Sequence, residues 1–265
     1  MTPRYPADRG RNGLLACVLL LLPAAGCAPF WDELLSRERD MGSYFHPPDP
    51  LTVLKDSTDG ERRARALAAL REPNQNGGKA EDQDVYLQIL TTASKTDRDP
   101  LCRLGAIRAL GHFKDPRAAR ALEEVYQQPK LPFTQDFNAL IRQSSLRSLE
   151  EIGSDDSRQL LILVARQPGP SQDASSVDRQ QTQDEKLIAI RALGKYHQTE
   201  CTETLLYIME SEKDIALRDR AHQSLQASTG KNLPAEPQVW RTALAGQPTN
   251  TEQPNLIQRV SGWFK

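Results

Sequence analysis

Apolar residues in this chain recur at helical rather than strand spacing, and five stretches superpose so that the same columns return. Counting from Asp59, Asp99, Asn138, Thr182 and Asp214, the fourth position on is a base (Arg63, Arg103, Arg142, Lys186, Arg218). The seventh is a small residue (Ala66, Ala106, Ser145, Ala189, Ala221) and the eleventh a leucine (Leu70, Leu110, Leu149, Leu193, Leu225). Offsets of four, seven and eleven share one helical face. Each starting residue carries a side-chain oxygen that can accept from the amides a first helical turn leaves unpaired, so each is an expected N-cap. Between these helices lie others with apolar stripes of their own: Val85, Ile89 and Leu90; Ala118, Leu122 and Val125; Leu160, Leu161 and Val164; Leu205, Ile208 and Met209. The pattern predicts antiparallel helix pairs. Their start-to-start spacings of 40, 39, 44 and 32 residues are the period of a stacked helical-hairpin array rather than of one globular core. Gly111, Gly153 and Gly194 are expected to close helices at positive φ, with Asp115-Pro116 restarting the chain as N-cap and first helical residue.

The words Leu104-Gly105-Ala106-Ile107-Arg108-Ala109-Leu110-Gly111 with Asp115-Pro116-Arg117-Ala118, and Leu187-Ile188-Ala189-Ile190-Arg191-Ala192-Leu193-Gly194, resemble HEAT repeats of the short bacterial type. The resemblance covers roughly residues 50–228 and implies an all-α, right-handed α-solenoid of about five HEAT-like hairpins. The third unit departs from it, since Ser145 and Glu150 stand where the family has alanine and glycine, and looser helix packing is expected there. After Gly230 the run through Leu233 and Pro237 to Trp240 resembles the close of bacterial HEAT-repeat lipoproteins, with Trp240 and Leu244 as the cap.

The first residues read differently. Arg4, Arg9 and Arg11 precede the apolar run Leu14 to Leu22 and then Pro23-Ala24-Ala25-Gly26-Cys27. A basic start, a short apolar core and small residues before a cleavage point describe an export signal, since a membrane span needs about 20 apolar residues. The ending resembles a bacterial lipobox, which implies acylation of Cys27; Ala24 replaces the commoner leucine, and ordinary cleavage is the alternative. The expected organisation is a signal peptide at 1–26, a tether and short helix at 27–48, repeats at 49–228, a cap at 229–245, and a linker with an amphipathic tail at 246–265. Phe30, Trp31, Leu34 and Leu35 fit an interfacial helix or packing on the first repeat. Leu256, Ile257, Val260, Trp263 and Phe264 fit a short amphipathic helix that docks on the solenoid or a partner, lies on a membrane, or stays unfolded.

Net charge narrows the partners. Thirty-four bases against 35 acids give −1, without the basic excess of a general nucleic-acid binder. Cys102 and Cys201 fall in the second and fifth units, too far apart for a disulfide, and are expected as free buried thiols. His112, His197 and His222 recur along the stack instead of converging as metal ligands must. Glu123-Glu124 and Glu150-Glu151 are helix neighbours facing different ways and read as solvated charge. Thr229-Gly230-Lys231 lacks the earlier glycine and the following hydroxyl of a phosphate loop. No catalytic grouping, cofactor or small-molecule substrate is indicated.

Two basic columns remain. Asp59, Asp99 and Asp214 precede Arg63, Arg103 and Arg218 by one turn, which marks this inner column as a structural ladder. Five positions further on, Arg108, Arg147 and Arg191 are rotated about 140° away and point outward; the HEAT resemblance places them on the concave face. They are either solvated charges or a ridge for an acidic partner. Insertions at 129–137 and 168–181 leave one edge of the stack, the second as a mobile loop, and offer another binding surface. The expected function is that of a non-enzymatic protein-interaction scaffold, exported and lipid-anchored on the periplasmic side of the cell envelope. A HEAT-like chromophore-lyase subunit, or a purely structural spacer, is the alternative.

Overall fold

Asp49 accepts from the amide of Thr52 at 3.1 Å and Pro50 supplies the first helical residue, so the first helix starts where a side-chain cap and a preset φ coincide. The same device opens two more helices, at Asp99-Pro100 and Asp115-Pro116, with the carboxylates accepting from Leu101 and Arg117 at 2.8 and 2.9 Å. The computed structural model describes residues 49–128, 132–171 and 173–246. The expected signal peptide, Cys27, the tether at 27–48 with Phe30 to Leu35, and the tail from 247 onward lie outside the described residues.

Among the described residues eleven α-helices follow one another: α1 (Pro50–Asp56), α2 (Gly60–Ala69), α3 (Ala80–Thr96), α4 (Pro100–Gly111), α5 (Pro116–Gln127), α6 (Gln135–Ile152), α7 (Arg158–Ala165), α8 (Ser176–Leu193), α9 (Thr199–Ser211), α10 (Ile215–Thr229) and α11 (Pro237–Leu244). They pair as α1/α2, α3/α4, α5/α6, α7/α8 and α9/α10, and the second helices α2, α4, α6, α8 and α10 lie side by side in one layer. The described residues contain no strand. This is an all-α solenoid.

The apolar columns form its core. The eleventh-position leucines are 2% exposed at Leu70 and fully buried at Leu110, Leu149, Leu193 and Leu225, each contributing about 2 kcal/mol by removal from water. The small column is as deeply buried, from Ala66 to Ala221, because neighbouring second helices approach there. Ser145 fits this column by donating to the carbonyl of Ile141 at 2.9 Å. Trp240 closes the C-terminal end: it is fully buried, its indole N–H donates to the carbonyl of Pro234 at 2.8 Å, and the ring of His222 meets it edge-on.

Several expectations are corrected. Asn138 and Thr182 are not N-caps, because α6 and α8 begin earlier, after Thr134 and Ser175. Helix therefore replaces the expected loop over 135–137 and 176–181. Val85 is 49% exposed, and Leu87 takes its place beside the expected Leu90 on the buried face of α3. Of the three glycines expected to do so, only Gly153 ends its helix at positive φ (63°); Gly194 is right-handed at −63°, and Gly111 is simply the last helical residue of α4. Gly111 and Gly194 are small for contact: a Cβ would come within 2.9 Å of Ser148 Cβ and 3.1 Å of Ser224 Cα respectively. Of the residues read as solvated, Glu150 is buried and Glu124 is held by Lys95.

Candidate functional site

The two basic columns on the second-helix layer do different things. Along the inner one, the bases reach the C-terminal ends of first helices, where unpaired carbonyls and the helix dipole favour positive charge. Arg63 meets the carboxylate of Asp97 at 2.7 Å, and Arg103 donates to the Asp97 carbonyl at 2.7 Å and stacks over Phe133. Arg142 donates to the carbonyl of Tyr126 at 2.9 Å, while Lys186 pairs with Glu212, the C-cap of α9. The acids expected as their rungs are occupied otherwise. Asp59, Asp99 and Asp214 cap α2, α4 and α10, and Asp99 Oδ2 also presses on Gly60 so closely that a Cβ there would lie 1.7 Å away. Arg218 is exposed and has no partner among the described residues. Each of the three carboxylates is turned to the first-turn amides of its own helix, which leaves the base four residues on to bond elsewhere or to stay in solvent.

Arg142 anchors a largely buried polar cluster. Its Nε and Nη2 each donate to Glu185 at 2.8 Å, and the Tyr126 hydroxyl and Gln181 amide donate to the same carboxylate at 2.8 and 3.0 Å. Burial opposes ionisation of Glu185, but the hydrogen bonds and charge of Arg142, with Gln181 and Tyr126, outweigh it and hold the carboxyl below its ordinary value. Burial, reinforced by the Glu185 charge, pushes the Tyr126 hydroxyl up beyond the usual phenol range. A neutral tyrosine, a carboxylate and a guanidinium are thus locked together with every polar atom used. The cluster binds the third unit to the fourth.

The outer column is exposed, as Arg108, Arg147 and Arg191 all reach solvent. Arg108 and Arg147 have no partner among the described residues. Arg191 does: Glu150 accepts from its Nε at 2.9 Å and from its Nη2 at 2.6 Å. Lys195 adds a bond to the Glu150 carbonyl at 2.9 Å. Arg147 and Arg191 line a shallow hollow of about 270 Å³ together with Asp184, Leu187, Ile188 and Arg220. Arg220 was invisible to column reading, since its position carries Arg65, Gly105, Ser144 and Ile188 in the other units.

The loop edge is also drawn together. Gln135 donates to Asp178 at 2.8 Å, joining the helical starts of α6 and α8 that follow the two insertions. A second hollow, about 350 Å³, lies on the opposite layer between α3 and α5 and is lined by both charges, including Asp84, Lys95, Arg117 and Glu124.

The remaining reactive groups are dispersed. Cys102 and Cys201 are free and buried, and burial pushes both thiols up to about 11, which leaves them protonated and unreactive near neutrality. His112 contacts Glu151 at 2.9 Å, His197 the carbonyl of Ser228 at 2.6 Å and His222 that of Leu233 at 2.8 Å. Each has a separate structural bond. Among the described residues no three metal-ligating side chains converge, and no helix is long and apolar enough to cross a membrane.

Paired helices, a leucine column and glycines at close contacts specify the type of repeat. Residues 48–136 match the family model for HEAT repeats. No curated protein matches the chain. The matched HEAT segment spans the first two pairs and α5, and the same columns continue through α10.

Proposed function

We propose that this HEAT-repeat protein is a non-enzymatic scaffold that binds an acidic segment of a partner protein across the exposed face of α4, α6, α8 and α10. One observation carries the reading. On the inner side of the second-helix layer, α2 included, four of the five bases are committed to helix ends or carboxylates, whereas Arg108 and Arg147 on the outer side have no partner among the described residues. Exposed guanidiniums in stacked units give a partner charge-assisted, fork-shaped donors, and HEAT repeats commonly mediate contacts between proteins. The basic start, apolar run and Gly26-Cys27 ending support export and acylation at the cell envelope, where an anchor raises the local concentration of membrane-bound partners.

Capture from envelope membranes tests both parts. The lipidated full-length protein should retain partners at low salt and release them as screening shortens from about 10 Å at 0.1 M. The Arg108→Ala/Arg147→Ala variant should lose them with an unchanged melt, and Cys27→Ser should abolish fatty-acid labelling. Capture that survives both high salt and the double substitution would overturn this assignment and move binding to the loop edge at 129–137 and 168–181. Labelling that persists in Cys27→Ser would reject the anchor.

A further inference from the structure

The hollow between α6, α8 and α10 has a charge balance of its own. Three guanidiniums stand around it, from Arg147, Arg191 and Arg220. Arg191 is already neutralised by Glu150 at 2.6 Å. Asp184 also lines it, and its oxygens accept only from amides, of Gln180 at 2.9 Å and Gln143 at 3.4 Å. Three positive charges against the carboxylates of Glu150 and Asp184 leave one in excess. That excess rests on Arg147 and Arg220, neither of which has a partner among the described residues. Leu187 gives the hollow a partly exposed apolar wall. Leu140, 47% exposed, stands two turns before Arg147 on the same face of α6.

We infer that this hollow is the anchoring subsite of the face and takes one carboxylate, from an aspartate or glutamate of an extended partner segment, beside an apolar side chain that rests on Leu187. The inference rests on the reading that the face binds protein. Two unpaired guanidinium forks match the two oxygens of a carboxylate. A phosphate, nearly doubly charged at neutral pH, would exceed the single unbalanced positive charge and be repelled by Asp184, whose charge is bonded to amides but matched by no cation. The hollow therefore selects a monoanion.

The test is fluorescence polarisation of the purified full-length chain with three labelled peptides: alternating glutamate and leucine, glutamine and leucine, and phosphoserine and leucine. The glutamate peptide should bind, and the glutamine peptide should bind about tenfold or more weakly, as expected for loss of a charge-assisted pair. The phosphoserine peptide should bind no more tightly than the glutamate one. Arg147→Ala/Arg220→Ala should weaken the glutamate peptide by a similar factor, whereas Arg218→Ala, an exposed arginine of α10 outside the hollow, should change it less than about twofold. Asp184→Asn removes the repelling charge and should tighten binding severalfold, a gain that misfolding cannot imitate. An equal loss from Arg218→Ala would overturn the subsite, because any exposed cation of the layer would then serve as well. Tighter binding of phosphoserine, weaker binding by Asp184→Asn, or no binding of the glutamate peptide would each overturn it as well. Capture of partners from membranes independently decides the broader reading.

Discussion

Glu150 holds Arg191 in a two-pronged ion pair between the third and fourth units, with 2.9 Å to Nε and 2.6 Å to Nη2. Glu150 occupies the position where Gly111 and Gly194 close the neighbouring second helices, and only 11% of its side chain is exposed. The glycine places let a serine of the next helix approach; here a carboxylate fills the gap and draws an outward arginine down onto it. The departure from the repeat pattern is thus compensated, at the cost of one of three exposed guanidiniums.

Arg191→Ala should therefore destabilise the protein by about 1–2 kcal/mol, because a largely buried carboxylate loses its charged partner, while Arg108→Ala and Arg147→Ala stay within about 0.5 kcal/mol of the parent. A double-mutant cycle with Glu150→Gln in urea should show coupling on the order of 1 kcal/mol. Equal effects from the three arginine substitutions would mean that Glu150 does not distinguish Arg191 from the others.

Glu185 makes stability depend on acid. Its carboxyl lies below the ordinary value in the folded chain, so its contribution is present above the unfolded pKa of about 4.3 and is lost as pH falls through the lower folded value. Asp115 acts in the same direction, held down first by the hydrogen bond from Arg117. The melting temperature should fall as pH drops below about 4. Glu185→Gln should lower stability at pH 7 by roughly 3 kcal/mol, since it leaves Arg142 without its counter-charge, and should flatten the acid limb. An acid limb as steep as the parent's would assign acid sensitivity to other carboxylates.

The sequence carried the repeats because burial repeats: Leu110, Leu149, Leu193 and Leu225 must point inward for any pair to stack, so their spacing is written into the chain. The partners of the bases were not legible in the same way. Arg63 finds Asp97 and Arg142 finds Glu185 on other helices, and contacts between units leave no fixed spacing within one unit. The early starts of α6 and α8 were hidden because their first turns are mostly polar and joined by side-chain bonds such as Gln135 to Asp178, with Phe137 alone packed on the core, too little to mark an apolar stripe. Arg220 escaped for the opposite reason, as its column mixes Arg65 with Gly105, Ser144 and Ile188 and so shows no common chemistry.

Gly105 reports most directly how closely the second helices approach. A Cβ added there would lie 2.4 Å from the carbonyl oxygen of Ala64 and 3.2 Å from its carbonyl carbon, and backbone atoms of α2 cannot swing aside as a side-chain tip could. By intrinsic helix propensity, Gly105→Ala should stabilise α4 by about 1 kcal/mol. The contact reverses the sign, because relieving it means separating α2 from α4 and opening the small column at Ala66 and Ala106. A net loss of about 2–3 kcal/mol is expected, in the range of overpacked cores. Gly153→Ala meets nothing nearer than 3.9 Å and suffers only from its φ of 63°, a cost of about 1 kcal/mol. Urea melts of the two variants should rank Gly105→Ala as the more damaging. A stabilised Gly105→Ala protein would show that α2 and α4 can move apart freely, and that the small column does not set the spacing of the layer.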